Sequence, residues 1–296
     1  MNNILIAGDI DITTSVNVYN FPLREEDEVI YIPNKTADMV GGSVLNIGAP
    51  LKNWGFNVDI ISNVGNDMYQ DSVRNALRKN GISAKYLNPA YTVRSIILVS
   101  DTGDKLILHD SKDAMTIKPD ISKYITLLKK TDFAHLCIFN WTRYLIPELK
   151  KRNIKFGTDI HTGFDIDGYH KEFVENSYIL FFSKKGMDNS FREIMRKILN
   201  MGPEIVVCTA GADGCYVLTR EKNEIMHFPA LKFSSKIVDT TGAGDNFAAG
   251  FYYGLFNFNS IEKAVRYAQI AALYSCGFQG TNTFISKDEF ARLGSV

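Results

Sequence analysis

The sequence predicts an α/β fold: a mainly parallel β-sheet covered by helices on both faces, with a smaller β-layer beside it. Three observations lead there. Short apolar runs alternate with stretches of helical periodicity over most of the chain. Two strand-rich segments break that alternation, with no helix between their strands. The length, 296 residues, suffices for one large core, and no Pro/Gly/Ser-rich linker divides it. Residues 1–296 therefore read as one unit, with the small layer inserted at about 9–35 and 92–112.

Ile4–Gly8 is a short apolar run closing on glycine, the pattern of a buried strand. Ile10–Val18 and Glu28–Ile32 supply the first strands of the small layer. Val44, Ile47, Leu51 and Trp54 recur every three or four residues and predict a helix capped at Gly55. Val58–Val64 reads as the next strand, and Tyr69, Val73, Ala76 and Leu77 as a helix closed by Gly81. Arg94–Ser100 and Lys105–His109 flank the turn Asp101-Thr-Gly-Asp104 and predict a hairpin in the small layer. Strands recur at Ala134–Phe139, Lys155–Ile160, Tyr178–Phe182 and Glu204–Thr209, with helical stretches between them. Cys215–Leu218 and Ile225–Phe228 form a second hairpin. Two long helices follow, about Ala243–Leu255 and Ile261–Cys276, the second with a small-residue face of Ala264, Ala268, Ala271 and Ala272.

Charge and cysteine content narrow the function classes. The 33 basic and 33 acidic side chains give zero formal net charge, which offers DNA, RNA or anionic membrane no global attraction. No apolar run approaches the ~20 residues that span a bilayer. The opening Met1–Ile10 lacks the basic start, apolar stretch and cleavage site of a signal peptide. The expectation is a cytoplasmic chain with no nucleic-acid or membrane partner. Cys137, Cys208, Cys215 and Cys276 lack metal-finger spacing and read as buried, reduced thiols.

The chemistry concentrates in Asp239-Thr-Thr-Gly-Ala-Gly-Asp-Asn-Phe-Ala-Ala-Gly-Phe251. A strand at Lys236–Val238 is expected to run into Gly242 and Gly244, and a helix begins at once. Glycines there let the backbone turn sharply and approach a ligand. The helix start presents unpaired N–H groups and the positive end of its dipole, which suits phosphate oxygens. Asp245, in the first turn, reads either as a capping residue or as a general base facing that anion site. As a base it would take a hydroxyl proton during attack on a terminal phosphorus, while the loop amides offset the developing charge. The P-loop pattern occurs nowhere, and position 247 is Phe where the dinucleotide fingerprint needs its third Gly.

With these residues in view, the sequence resembles the ribokinase-like (PfkB) carbohydrate kinase family. Asp239 to Phe251 is similar to its C-terminal signature. Gly41-Gly42 with Asn46 and Leu51 to Gly55 resembles its N-terminal one, and Val64-Gly-Asn-Asp67, Asn80-Gly-Ile82 and Thr209-Ala-Gly-Ala-Asp-Gly214 follow in family order. The resemblance implies a three-layer α/β/α core with a β-sheet lid, and ATP with Mg²⁺ as phosphoryl donor. It makes Asp245 the base and Gly242, Ala243 and Gly244 the anion hole. It places Asp11, Gly42 and Asn46 at the acceptor, and Thr209, Gly211 and Gly214 by the nucleotide. Arg94 opens a lid strand and reads as reaching over the acceptor or a phosphate, or as facing solvent.

Two departures stand out. Position 13, usually acidic in the family, is Thr13, and Ser183-Lys-Lys-Gly186 stands where the family carries an Asn-x-x-Glu tied to Mg²⁺. No metal ligand is assigned on these grounds. Asp159-Ile-His161 and Asn140-Trp141 end strands at the edge where such sheets bind ligands, Trp141 as a stacking surface or as core. The reading is an ATP-dependent kinase of a hydroxyl on a small sugar or sugar derivative; the alternatives are a nucleoside kinase, with Tyr19, Phe21 and Trp141 as a base slot, and a non-catalytic nucleotide- or sugar-binding regulator. A homodimer through the lid is a further expectation.

Overall fold

The computed structural model describes residues 2–18, 29–87, 89–100, 105–232, 237–280 and 283–295. In chain order the strands are β1 (Asn3–Asp9), β2 (Asp11–Val18), β3 (Thr36–Gly41), β4 (Asn57–Asn63), β5 (Ser83–Tyr86), β6 (Val93–Ser100), β7 (Lys105–Asp110), β8 (Phe133–Leu136), β9 (Lys155–Asp159), β10 (Ile179–Ser183), β11 (Ile205–Thr209), β12 (Cys215–Thr219) and β13 (Ile225–Phe228). Nine of them form one sheet in the order β13-β12-β11-β10-β9-β8-β1-β4-β5. Its pairs are parallel from β5 to β11 and antiparallel at β12 and β13.

The helices are α1 (Ser43–Asn53), α2 (Gln70–Lys79), α3 (Ile125–Leu128), α4 (Ile146–Lys151), α5 (Lys171–Asn176), α6 (Phe191–Met201), α7 (Ala243–Phe258), α8 (Ile261–Cys276) and α9 (Lys287–Ser295). Strand alternation divides the apolar residues between two faces. Ile4 and Ile6 of β1 join Phe133, Phe181, Ile47 of α1, Phe251 of α7 and Ile270 of α8 in one core. Leu5 and Ala7 point the other way, with Leu136, Phe156, Leu149 of α4 and Phe173 of α5. Leu180, Phe182 and Val206 continue that second face against Met195 and Ile198 of α6. The result is three layers. No helix among the described residues is long and apolar enough to cross a membrane.

Helices α7 and α8 lie backbone to backbone, as the alanine face of α8 predicts. A Cβ on Gly250 would meet the Tyr267 carbonyl at 2.5 Å, and one on Gly254 the Ala264 Cα at 2.6 Å. The close approach depends on those side chains being absent.

The smaller sheet has the order β3-β2-β6-β7, with β2 and β6 parallel and the outer pairs antiparallel. The chain changes sheet at Ile10, whose N–H donates to Ser62 Oγ at 3.0 Å. One strand differs from expectation. The partner of β2 is Thr36–Gly41, not Glu28–Ile32; Glu28 lies outside the described residues, and Val29–Ile32 form no strand. Ile32 instead opens a turn, accepting from Lys35 N–H at 3.2 Å with Asn34 at φ +58°, and the turn delivers β3 in register with β2. The run before Gly242 also differs: Ile237–Thr241 is irregular, and Lys236 lies outside the described residues, as does the turn 101–104.

Candidate active site

The C-terminal ends of β1, β4, β8 and β9 and the N-terminus of α7 converge on one edge of the large sheet, where parallel sheets place their ligands. Gly242 is the N-cap of α7 in a left-handed conformation, φ +74°. An L-side chain there would be strained, so the turn that aims the helix at this edge depends on glycine. Asn246 stabilises it from within the helix, donating N–H and Nδ2 to the Gly242 carbonyl at 2.9 and 3.0 Å. Ala243 N–H reaches the Thr240 carbonyl at 3.3 Å. Gly244 is exposed, and the nearest neighbour of a Cβ built there is Asp159 Oδ2 at 3.7 Å. Helix-end amides and space for a bound group therefore coincide.

Asp245, one residue further, is partly buried and accepts from Asn46 Nδ2 at 2.8 Å. Burial raises its pKa, and the Asn46 bond and the His161 charge only partly oppose that. A carboxylate so placed is a better base than one free in water. Asp159 ends β9, accepts the His161 N–H at 2.7 Å, and has His161 Nδ1 3.6 Å from Oδ2. Burial first, then the carboxylates of Asp245, Asp9 and Asp159, push the Cys137 thiol up, which marks all three as lying around the end of β8. Cys137 and the other three cysteines are buried and free, as expected.

Asp9 was not anticipated from sequence. It ends β1 at 2% exposure and accepts from Trp141 Nε1 at 2.8 Å, while its Oδ2 has no hydrogen-bond partner among the described residues. Burial pushes its pKa up to about 7 against the Trp141 bond. Its cue was position alone, an acidic residue closing the first buried strand. Trp141 is fully buried in the second core and is not a stacking surface. Tyr19 and Phe21, the other expected base-slot residues, lie outside the described residues.

Asp11 opens β2, and its oxygens take Thr13 Oγ1 at 3.1 Å and Ser95 Oγ at 2.5 Å. Ser95 also meets His109 Nδ1 at 3.0 Å, so a polar chain crosses β2, β6 and β7 on one face of the small sheet. His109 ends beside Phe139, ring centroids 6.0 Å apart. Thr13, where an acid was expected, thus serves Asp11. Arg94 points the other way. It neighbours Ser95 in β6, and alternation puts it on the opposite face, where Nη1 meets Tyr69 Oη at 2.9 Å and Nη2 meets Thr14 Oγ1 at 3.2 Å. The structure does not bring Arg94 to Asp11. Gly42 precedes α1 against the Asp9 carbonyl, so Gly42, Asn46 and Asp245 do come together.

Thr209 ends β11, and Gly211 and Gly214 lie in the turn after it, further along the same edge. Thr209 Oγ1 donates to the Phe182 carbonyl at 3.3 Å, and a Cβ built on Gly211 would meet no described residue within 4 Å. Lys184, in the segment replacing Asn-x-x-Glu, is committed to Asp213 Oδ2 at 2.7 Å, and Asp213 also accepts from Tyr216 Oη at 2.9 Å. Among the described residues no three His, Cys, Asp or Glu side chains gather as a metal site.

The profile described as pfkB family carbohydrate kinase matches residues 1–159 and 178–288 of this chain. The chain belongs to that family. This carbohydrate kinase is similar to acarbose 7(IV)-phosphotransferase of an Actinoplanes species, 26% identical over 285 residues that cover 94% of the chain and 93% of the relative. It is also similar to fructosamine kinase FrlD of Bacillus subtilis, 23% identical over 260 residues, 86% of the chain and 90% of the relative. Among solved structures, microbiome-derived acarbose kinase Mak1 superposes with a TM-score of 0.90 at 23% identity, covering 100% of the chain and 99% of Mak1. Ribokinase from Giardia lamblia superposes with a TM-score of 0.84 at 19% identity, covering 99% of the chain and 98% of the ribokinase. The carbohydrate kinase thus has the ribokinase-like fold expected of it, a large mostly parallel sheet flanked by helices with a smaller sheet beside it.

Proposed function

We propose that this chain transfers the terminal phosphoryl group of ATP to a hydroxyl of a small sugar or sugar derivative, with Asp245 as general base. The observation that carries the reading is the placement of Asp245, held by Asn46 in the first turn of α7 directly behind Gly242–Gly244. The acceptor hydroxyl, positioned by Asn46, Gly42 and Asp11, loses its proton to Asp245 as it attacks phosphorus. Amides of Gly242 and Gly244 face the charge that builds on the transferred group, and Ala243 joins them by releasing its long bond to Thr240. Thr209, Gly211 and Gly214 hold the nucleotide. Closing the small sheet over the site excludes water, which competes as acceptor.

Mg²⁺ fits as an ion carried on the nucleotide phosphates, which needs one or two protein carboxylates at most. Asp159, facing Gly244, is the residue that would hold it, and the bound ion would supply charge neutralisation. A reducing cytoplasm suits the four buried thiols. The exposed Ile96, Leu106 and Leu108 of the small sheet favour pairing of two copies there.

The test is ADP release from Mg·ATP over pentoses, hexoses, sugar phosphates, polyols and nucleosides, with Asp245→Asn in parallel. One sugar should turn over, and the variant should lose about 10²–10⁴-fold in rate. Turnover of nucleosides alone would move the acceptor to that class. ATP binding without turnover of any acceptor would favour a binding protein.

A further inference from the structure

Lys105 opens β7 in the small sheet, yet its ammonium lies in the loop that leads into α7. Nζ donates to Asp239 Oδ1 at 2.5 Å and to Thr241 Oγ1 at 2.6 Å. The ion pair is largely shielded, its side chains 15% and 10% exposed. Asp239 makes two further contacts: Oδ1 accepts the N–H of Thr241 in its own loop at 2.8 Å, and Oδ2 accepts the N–H of Gly280, beyond α8, at 3.0 Å. The N–H groups of Val238 and Asp239 both donate to the Cys276 carbonyl at the end of α8, at 2.8 and 3.2 Å.

The residues just before Gly242 are therefore held from two bodies. Cys276 and Gly280 belong to the C-terminal part of the large unit, whereas Lys105 comes from the small sheet. Removing the ammonium would leave the Asp239 carboxylate shielded from water with two backbone N–H donors and the Thr241 hydroxyl but no opposite charge, and an uncompensated buried charge is what a protein relaxes to avoid. The relaxation available is movement of the 239–241 segment, which sets the direction of the Gly242 turn.

We propose that Lys105 is a positioning residue. It fixes the Asp239–Thr241 segment, and through it the Gly242–Gly244 amides, from the small sheet, so the phosphoryl-binding turn is set only when that sheet is in place. Its role in turnover rests on the kinase reading above; the tether itself does not.

The experiment combines peptide hydrogen–deuterium exchange over 237–245 with steady-state kinetics of the wild type, Lys105→Met, Lys105→Ala and Lys105→Arg. Lys105→Met should raise exchange in 237–245 at least tenfold and leave β1 and α8 unchanged. Its kcat should fall at least tenfold, with KM for both substrates within threefold. Lys105→Arg should retain most of the activity. Added methylammonium should restore part of kcat to Lys105→Ala, which leaves a slot for it, and none to Lys105→Met, which fills the slot. Should Lys105→Ala fail to fold, Thr241→Val removes one of the two acceptors and should shift exchange and kcat in the same direction by less.

Exchange and kcat of Lys105→Met within twofold of wild type would overturn the proposal. So would a loss of kcat with unchanged exchange in 237–245, or equal stimulation of every variant by the amine. If the wild type turns over no acceptor while Lys105→Met loosens the loop, the tether stands and the kinase reading falls.

Discussion

Asn46 in α1 and Asp245 in α7 are joined by a hydrogen bond, Nδ2 to Oδ2 at 2.8 Å, across 199 positions of sequence. The bond favours the ionised carboxylate, and burial favours the neutral acid by more, so the Asp245 pKa stands above its ordinary value. A base must be ionised to act, so activity falls as pH drops through that raised pKa. Asn46→Leu removes the lowering influence, and the acid limb of the kcat/KM profile should move to higher pH. A limb that stays in place would detach Asp245 from the rate.

Gly242 and Gly244 should respond differently to alanine. At Gly242, φ +74° makes any side chain strained, and Gly242→Ala should cost about 1–2 kcal/mol of stability as well as rate. At Gly244 the added methyl meets nothing closer than Asp159 Oδ2 at 3.7 Å, so Gly244→Ala should keep the wild-type Tm. It should nonetheless lose at least tenfold in kcat/KM for ATP, because the methyl occupies the approach of the phosphate. Thermal melts and ATP kinetics on the two variants separate the cases.

Asp11 should set acceptor affinity without touching the nucleotide. Asp11→Asn keeps the size of the group and weakens its pull on Ser95 Oγ and Thr13 Oγ1. The acceptor KM should rise about tenfold or more, as for loss of a charged hydrogen bond worth roughly 1.5–3 kcal/mol, with KM for ATP unchanged. Ser95→Ala should move the same parameter by less. A rise in the ATP KM instead would place Asp11 on the wrong side of the transferred phosphoryl.

Two buried groups make stability depend on pH in opposite senses. Asp9 is pushed up to about 7 by burial, so between its unfolded value near 4 and about 7 the folded chain keeps a proton that the unfolded chain has lost. Its contribution falls as pH rises through that window. His135, sealed against Tyr252 Oη at 2.7 Å, is pushed down to about 3 by burial and stays neutral where the unfolded imidazole is charged. Its contribution falls as pH drops below about 6.5. Each slope is about 1.4 kcal/mol per pH unit, so the two nearly cancel between about pH 4 and 6.5. Asp9→Asn abolishes one of them. Relative to wild type, its unfolding free energy should therefore rise by roughly 2–3 kcal/mol from pH 4.5 to 6.5. Urea unfolding at the two pH values reads this, and a constant difference would mean that Asp9 is ionised in the fold.

Local chemistry was legible in the sequence; meetings at a distance were not. The left-handed turn at Gly242 and the carboxylate of Asp245 in the first turn of α7 were readable because turn, helix start and carboxylate are consecutive, and the alternation of apolar runs with helical periods announces the layered sheet. β3 escaped because Thr36-Ala-Asp-Met-Val-Gly41 carries only three apolar side chains among six residues and gains its identity from register with β2. Lys105 escaped because its partner lies 134 positions away and a lysine opening an edge strand reads as solvated. Trp141 read as a stacking surface or, alternatively, as core or rim structure, and its place depends on packing and on its bond to Asp9, 132 positions earlier. The polar chain from Asp11 to His109 needed the pairing of β6 with both β2 and β7 before it existed.

The order of strands in the large sheet bears on how the protein is made. β8 docks beside β1, and β9 to β13 then add outward in the order of synthesis. The face bearing Ile4, Ile6, Phe133 and Phe181 also needs Phe251 and Ile270, which come from the last two long helices. A nascent chain stopped before Ala243 holds every described strand, with that apolar face covered only in part by α1 and α2. The helix that seals that face is the one that brings Asp245 to the edge. Closure of the core and arrival of Asp245, the proposed base, at the sheet edge are then coupled.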